Sequence, residues 1–370
     1  MFRFEQAGKR FVLNKNNDIL AKMRKDLLSW YDLNGRTLPW RAAKGQKIQP
    51  YHVLLSEFML QQTTVATVGP YFEKFVERWP CISDLACAHL DEILHGWQGL
   101  GYYARARNLH LCAKVISEEL GGQIPEKEDD LKNLPGIGIY TAAAISAIAF
   151  GNPANVVDGN VERVMVRIHA LKQPLKSIKS QIRDLSAKIS PPSRKERPGD
   201  FAQAIMDLGA TICTPRKPKC GICPWGFQCK AFQNDLQDLI PARQDKKSKP
   251  KRYGIVFWVK HPDAGILMKK RPNKGLLGGM VVVPSTEWLE KEWSTKDAQN
   301  TAPFKTNWNP LPGVIKHTFT NFHLELSILA TNVSKIGGPN DFIWIRPEKM
   351  HEIPLPTVMK KVVQHALKLS

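Results

Sequence analysis

The hydrophobic period of this chain changes once, near residue 240, and that change restricts it to a two-part architecture. Before it, apolar residues recur three and four positions apart, the period of an amphipathic helix. Segment 17–33 carries Ile19, Leu20, Met23, Leu27 and Trp30 in this way, and 51–68, 83–97, 102–120, 160–171 and 200–211 read alike. Segment 129–150 reads as two helical pieces broken by Pro135-Gly136-Ile137-Gly138, while Gly69-Pro70 is expected to stop 51–68 and Ser83 to cap its helix. Beyond Ile240 come short strand-like runs at 253–259, 265–269, 280–283, 317–320, 324–329 and 342–345, then an amphipathic helix at 357–369. The expectation is a multidomain chain: an N-terminal extension 1–16, an all-α domain 17–240, a basic linker 241–252 and an α+β domain 253–370.

Charge bears on the partner. Across 370 residues, 53 Lys+Arg stand against 34 Asp+Glu, a formal net charge of +19. Such a surface concentrates a polyanion, although part of the excess is local to the linker. The longest uncharged apolar stretch, 141–150, is short of the about 20 residues a bilayer span needs. The first twenty residues have no apolar signal core. Secretion and membrane insertion are therefore not expected.

Three features carry chemistry. Cys213, Cys220, Cys223 and Cys229 fall in one window spaced C-x6-C-x2-C-x5-C, while Cys81, Cys87 and Cys112 are scattered. Four soft thiolates suit either a tetrahedral zinc or a 4Fe-4S cube, and with only one C-x-x-C pair the spacing favours the cube. Second, Leu134-Pro135-Gly136-Ile137-Gly138 runs into an Ala-rich helix. Its glycines allow a hairpin that aims backbone N–H groups at a phosphate, so Leu134, Gly136 and Gly138 are candidates for gripping a DNA backbone. Third, Glu57 shares a helix face with Val53, Leu54 and Leu60, which should raise its pKa and suit a general acid. Asp158, in Val157-Asp158-Gly159-Asn160, sits where it would cap the next helix and stay anionic. Glycosidic cleavage needs such a pair, one carboxyl to protonate the leaving group and one to face the developing cation.

Taken in order, Ser56-Glu57-Phe58-Met59-Leu60-Gln61-Gln62-Thr63, Gly99-Leu100-Gly101-Tyr102-Tyr103-Ala104-Arg105, the hairpin, Val157-Asp158-Gly159-Asn160 and the cysteine window resemble the MutY-type adenine DNA glycosylases of the helix-hairpin-helix superfamily. The resemblance implies a monofunctional glycosylase that removes adenine mispaired with 8-oxoguanine or guanine in double-stranded DNA, with one 4Fe-4S cluster on the four cysteines. It places Glu57 as the catalytic acid, Asp158 as the cation-stabilising carboxylate, and Tyr140 and Asn160 as their supports. Arg36, Leu38, Trp40, Arg41 and Asp207 would form the purine pocket, and Gln62 and Tyr102 would wedge into the duplex. A monomer is expected, cytoplasmic and nucleoid-associated through its DNA.

Departures from the family pattern are informative. Segment 42–49 is longer than the family's usual turn. The C-terminal part resembles a Nudix domain through Gly275-Leu276-Leu277-Gly278-Gly279, but 285–300 has no Arg-Glu-x-x-Glu-Glu run for catalytic Mg²⁺. It is expected to read 8-oxoguanine through Thr320 and Asn321, which stand where the family has Ser and His. The related endonuclease III-like glycosylase/lyases carry a nucleophilic Lys after the hairpin; here that position is Tyr140, so no Schiff base forms.

Overall fold

The protein is described from a computed structural model covering residues 2–43, 45–242, 248–337 and 341–369, with side chains from 17 onward. Two compact units emerge, one of Met1–Asp84 with Leu111–Asp245, the other of Leu85–His110 with Lys246–Ser370.

The first unit is all helical. Its opening helix, Phe2–Asn34, runs on through the segment expected as an extension. The helix expected over 51–68 is instead two, Pro50–Leu60 and Val65–Arg78, broken where Gln62 takes a positive φ of 58°. Thr64 caps the second, accepting from the N–H of Thr67, and burial of Val68, Phe72 and Phe75 carries that helix straight through Gly69-Pro70. Burial outweighed the one hydrogen bond a proline removes.

Ile139–Phe150 is the central helix, buried from Thr141 to Ile148. Pro50–Leu60 and Pro198–Thr211 pack against it, and its alanines permit the close approach. Gly159–Ile168 and Pro198–Thr211 bury Val161, Val164, Met165, Phe201, Ile205 and Leu208 with Met23 and Leu27 of the first helix in one core. A helix at Lys179–Ile189, burying Ile182, Ser186 and Ile189, went unforeseen; its charged faces leave too short an apolar stripe to read.

The second unit is a mixed sheet with helices. Its strands are β1 (Lys251–His261), β2 (Gly265–Lys270), β3 (Val281–Val282), β4 (Asn309–Thr318), β5 (His323–Asn332) and β6 (Phe342–Ile345). The order is β3-β2-β1-β5-β4, with β6 pairing β2. The β1/β5 pair is parallel, from Lys251 opposite His323 to Lys260 opposite Asn332. Alternation along β1 sends Val256 and Trp258 into the core with the helix Thr357–Leu369, and Ile255, Phe257 and Val259 into a second cluster with Trp308. β1 begins inside the expected linker, whose residues 243–247 lie outside the described ones.

Segment 85–110, assigned to the all-α domain by the sequence reading, groups with these strands. The reason is polar as much as apolar: Lys270 Nζ lies 2.7 Å from Asp91, Gln98 donates to the Ile353 carbonyl at 2.8 Å, and Arg107 donates to the Gly278 carbonyl at 2.5 Å. The single helix expected over 83–97 is two, Ile82–Cys87 and Leu90–Gly96, with His89 starting the second. Among the described residues no helix is long and apolar enough to cross a membrane.

Gly209 marks a tight helix contact beside the cleft. A Cβ there would lie 2.7 Å from Asn160 Cβ and 3.1 Å from Asn160 O. Gly209→Ala should therefore lower stability by about 1–3 kcal/mol, read as a fall in melting temperature; an unchanged value would mean that the two helices are not packed this closely.

Candidate active site

A cleft of about 1700 Å³ opens in the helical unit, lined by Glu57, Tyr140, Asp158 and Asn160 together with Arg36, Leu38, Trp40, Arg41, Gln62 and Gly138. The elements that bring them together are the helix Pro50–Leu60, the start of Ile139–Phe150, the start of Gly159–Ile168 and the loop that follows the first helix. Part of the longer 42–49 segment, Ala42, Ala43, Gly45, Gln46 and Ile48, forms its edge.

Glu57 is 6% exposed. Burial pushes its carboxyl up to about 7, the Asp158 charge adds to this, and the Tyr140 hydrogen bond and Arg41 oppose it. Asp158 caps Gly159–Ile168: one carboxylate oxygen accepts from Val161 N at 2.7 Å and the other from Asn160 Nδ2 at 2.8 Å. Burial works against the expectation that the cap keeps Asp158 anionic. Burial raises its carboxyl too, and the bonds from Val161 and Asn160 only limit the rise. Tyr140, half-buried beside both carboxyls, has a phenol raised well above its ordinary value by desolvation, the Glu57 and Asp158 charges and a hydrogen bond to Glu57, so it stays protonated; its hydroxyl also lies 3.5 Å from Met206 Sδ.

Asp207, expected in the purine pocket, is absent from the residues that line the cleft. It is fully buried behind the loop, taking Arg36 N at 2.9 Å, Arg36 Nε at 2.7 Å, and Arg41 Nη1 and Nη2 at 2.7 and 2.8 Å. Burial alone would raise this carboxyl; Arg41 and Arg36 outweigh it and hold it below the usual carboxylate range. Its work is to set the loop that presents Arg36, Leu38 and Arg41. Trp40 is buried edge-on to Phe72 at 5.6 Å.

Sequence reasoning missed Arg163 and Arg167. Arg163 donates to Asn160 Oδ1 at 2.9 Å and to the Cys213 carbonyl at 2.8 Å, so Asp158, Asn160 and the cysteine loop are tied by successive bonds. Arg167, 2% exposed, donates to Cys213 Sγ at 3.3 Å and Thr214 O at 2.7 Å. The readable signal was position alone: three and seven residues after Asn160 fall on one helix face.

The four cysteines form no disulfide. Cys223 feels the charges of Cys213, Cys229 and Cys220, and burial pushes its thiol up to about 12; burial also raises Cys220 and Cys229. Half-buried thiols raised in this way are stabilised as thiolates by a metal centre. Among the described residues no three His, Cys, Asp or Glu close on a single ion. Four soft sulfur donors spaced C-x6-C-x2-C-x5-C in one loop are a donor set that suits an iron–sulfur cluster.

Elsewhere, Gly136 takes φ 79° in the hairpin, which closes with Ile137 N on Leu134 O at 3.2 Å; Leu134 is buried. Gly138 caps the following helix with no side chain over its N–H groups. In the second unit Tyr102, at φ 48°, hydrogen-bonds its hydroxyl to that of Thr320, and Thr320 and Asn321 are both exposed.

Comparison with known proteins now bears on this arrangement. The model of HhH-GPD superfamily base excision DNA repair proteins matches residues 55–191, the iron-sulfur binding domain of endonuclease III matches 213–229, and the NUDIX domain matches 255–365. The adenine DNA glycosylase of Homo sapiens is 34% identical over 412 residues, covering 93% of this chain and 73% of its own. That of Buchnera aphidicola subsp. Baizongia pistaciae is 33% identical over 351 residues, covering 91% and 94%. This chain belongs to the adenine DNA glycosylase family. A thermostable thymine-DNA glycosylase of solved structure superposes with a TM-score of 0.52 at 29% identity, over 60% of this chain and 99% of that one. As a family member the chain is a DNA N-glycosylase of base excision repair with one 4Fe-4S cluster.

The raised Glu57 has a stability consequence with a definite sign. Its folded pKa of about 7 lies above the ordinary 4.5, so ionising it is a penalty that grows from about pH 4.5 to 7 and is absent in acid. Glu57→Gln should thus raise the melting temperature at pH 8 and change it little at pH 5. An equal shift at both pH values would mean that Glu57 is not a strained carboxylate.

Proposed function

We propose that the cleft hydrolyses the N-glycosidic bond of an adenine turned out of duplex DNA, opposite 8-oxoguanine or guanine, leaving an abasic site. The observation that carries this reading is the pair of carboxyls in one cleft, Glu57 buried and at about 7, Asp158 half-buried and fixed by two N–H donors. Adenine expelled as an anion is a poor leaving group, so Glu57 gives its proton to N7 as the C1′–N9 electrons pass to the base. The sugar becomes an oxocarbenium ion, which the Asp158 carboxylate stabilises. Water adds to C1′ and gives its proton back to Glu57.

The other residues take supporting roles. Tyr140 holds the Glu57 carboxyl through its hydroxyl, and Asn160 orients Asp158. Arg36, Leu38, Trp40 and Arg41 form the wall that receives the purine, with Asp207 bracing the two arginines from behind. Leu134, Gly136 and Gly138 seat a phosphate on the helix start. Gln62 and Tyr102 wedge the duplex open, repaying the few kcal/mol that base flipping costs. Thr320 and Asn321 read the oxidised base. Cys213, Cys220, Cys223 and Cys229 hold the cluster, whose contribution is to crosslink the loop that Arg163 and Arg167 grip. The enzyme works as a monomer on the chromosome, in the compartment that contains it.

In single-turnover assays on an A:8-oxoguanine duplex, Glu57→Gln should bind normally and excise adenine about 10²–10⁴-fold more slowly. The wild-type product should be an abasic strand that stays intact until base or heat is applied, because Tyr140 offers no amine. Near-normal excision by the variant would remove Glu57 from its role.

A further inference from the structure

In the second unit, the turn between helices Leu90–Gly96 and Ala104–Glu119 holds Tyr102 at φ 48°, a left-handed conformation uncommon for a non-glycine. Gly99 and Gly101, at φ 105° and 69°, make the bends before it. The Tyr102 ring nevertheless stays 42% exposed. Such a backbone persists only where its surroundings over-determine it.

Arg105 contributes several of the contacts that fix it, beside the bond from the Tyr102 hydroxyl to Thr320. It is 7% exposed and turns back over the loop, its Nη2 donating to Leu100 O at 3.0 Å and to Gly101 O at 3.2 Å. The guanidinium carbon lies 5.4 Å from the Trp97 ring centre and 5.6 Å from that of Tyr102. Trp97 Nε1 adds a bond to Gly101 O at 3.1 Å. Two carbonyl dipoles and two π faces thus surround one buried cation. Lysine has no fork with which to bridge both carbonyls while lying flat on a ring.

We propose that Arg105 is a positioning residue for opposite-base recognition: it fixes the 99–103 turn so that the Tyr102 ring stands ready for the duplex, and it takes no part in bond cleavage. The proposal rests on the reading of Tyr102 as a wedge.

The test uses the full-length protein carrying Arg105→Lys, Tyr102→Ala or both. Affinity for an A:8-oxoguanine duplex is measured in the Glu57→Gln background, where substrate is not consumed, and single-turnover excision at saturating enzyme in the Glu57 background. Arg105→Lys should raise Kd about tenfold, leave the saturating excision rate within about threefold and keep the melting temperature. The double variant should bind no more weakly than Tyr102→Ala alone, since both changes remove one device. Arg105→Gln, which can reach one carbonyl without charge, should behave like Arg105→Lys. A normal Kd for both Arg105 variants beside a weakened Tyr102→Ala overturns the proposal, as does strict additivity. Weaker binding accompanied by lost melting temperature or iron content in both Arg105 variants would make it a structural residue. An unaffected Tyr102→Ala would instead overturn the wedge reading, and the proposal with it.

Discussion

Placing an ionisable carboxyl on the buried face of a helix is unfavourable unless the proton stays on, and Glu57 imposes that condition on everything around it. The helix Pro50–Leu60 is otherwise mostly apolar on its buried face, and Glu57 is the one carboxyl among its buried residues. Tyr140 therefore donates a hydroxyl rather than presenting a charge, and Arg41 is diverted largely onto Asp207. Had Arg41 paired with Glu57 directly, the carboxyl would have been held ionised and useless as an acid near neutrality. In the proposed reaction the Arg36–Arg41–Asp207 clamp is thus part of how Glu57 keeps its proton.

Asp158 faces the opposite demand. In the proposed reaction it must carry charge, yet burial lifts its pKa as well, and the helix cap with Val161 and Asn160 opposes the lift. Asn160 is in turn fixed by Arg163 and by the close pass of Gly209, and Arg163 reaches the Cys213 carbonyl. A loop crosslinked by a 4Fe-4S cluster therefore stands behind a carboxylate in the cleft. The two carboxyls differ both in exposure, Glu57 buried and Asp158 half-buried, and in hydrogen-bond supply, Asp158 taking two N–H donors.

How much of this was legible in the sequence depended on the range of the signal. Period and local punctuation revealed the central helices, the strands β1, β2, β5 and β6 and the helix Thr357–Leu369 nearly in full. The Glu57 face, the Asp158 cap and the cysteine window were visible because each is a short-range pattern. Missed features were those set by packing. Pro70 sits inside a helix because Phe72 and Phe75 are buried, and Asp207 is enclosed because two arginines 166 and 171 residues away converge on it. Segment 85–110 looked like its helical neighbours, and only distant partners such as Gly278 and Ile353 decide where it packs. Arg105 belongs in the same class: its motif was readable, but not the way it folds back on Leu100 and Gly101.

The central claim, that burial tunes Glu57 to act as the acid, is tested most directly by the pH dependence of single-turnover adenine excision at saturating enzyme. With Glu57 at about 7, the rate constant should be near its maximum below neutrality and fall about tenfold per pH unit well above it, as the required proton is lost. A rate that stays level or rises between pH 6 and 9 would contradict it.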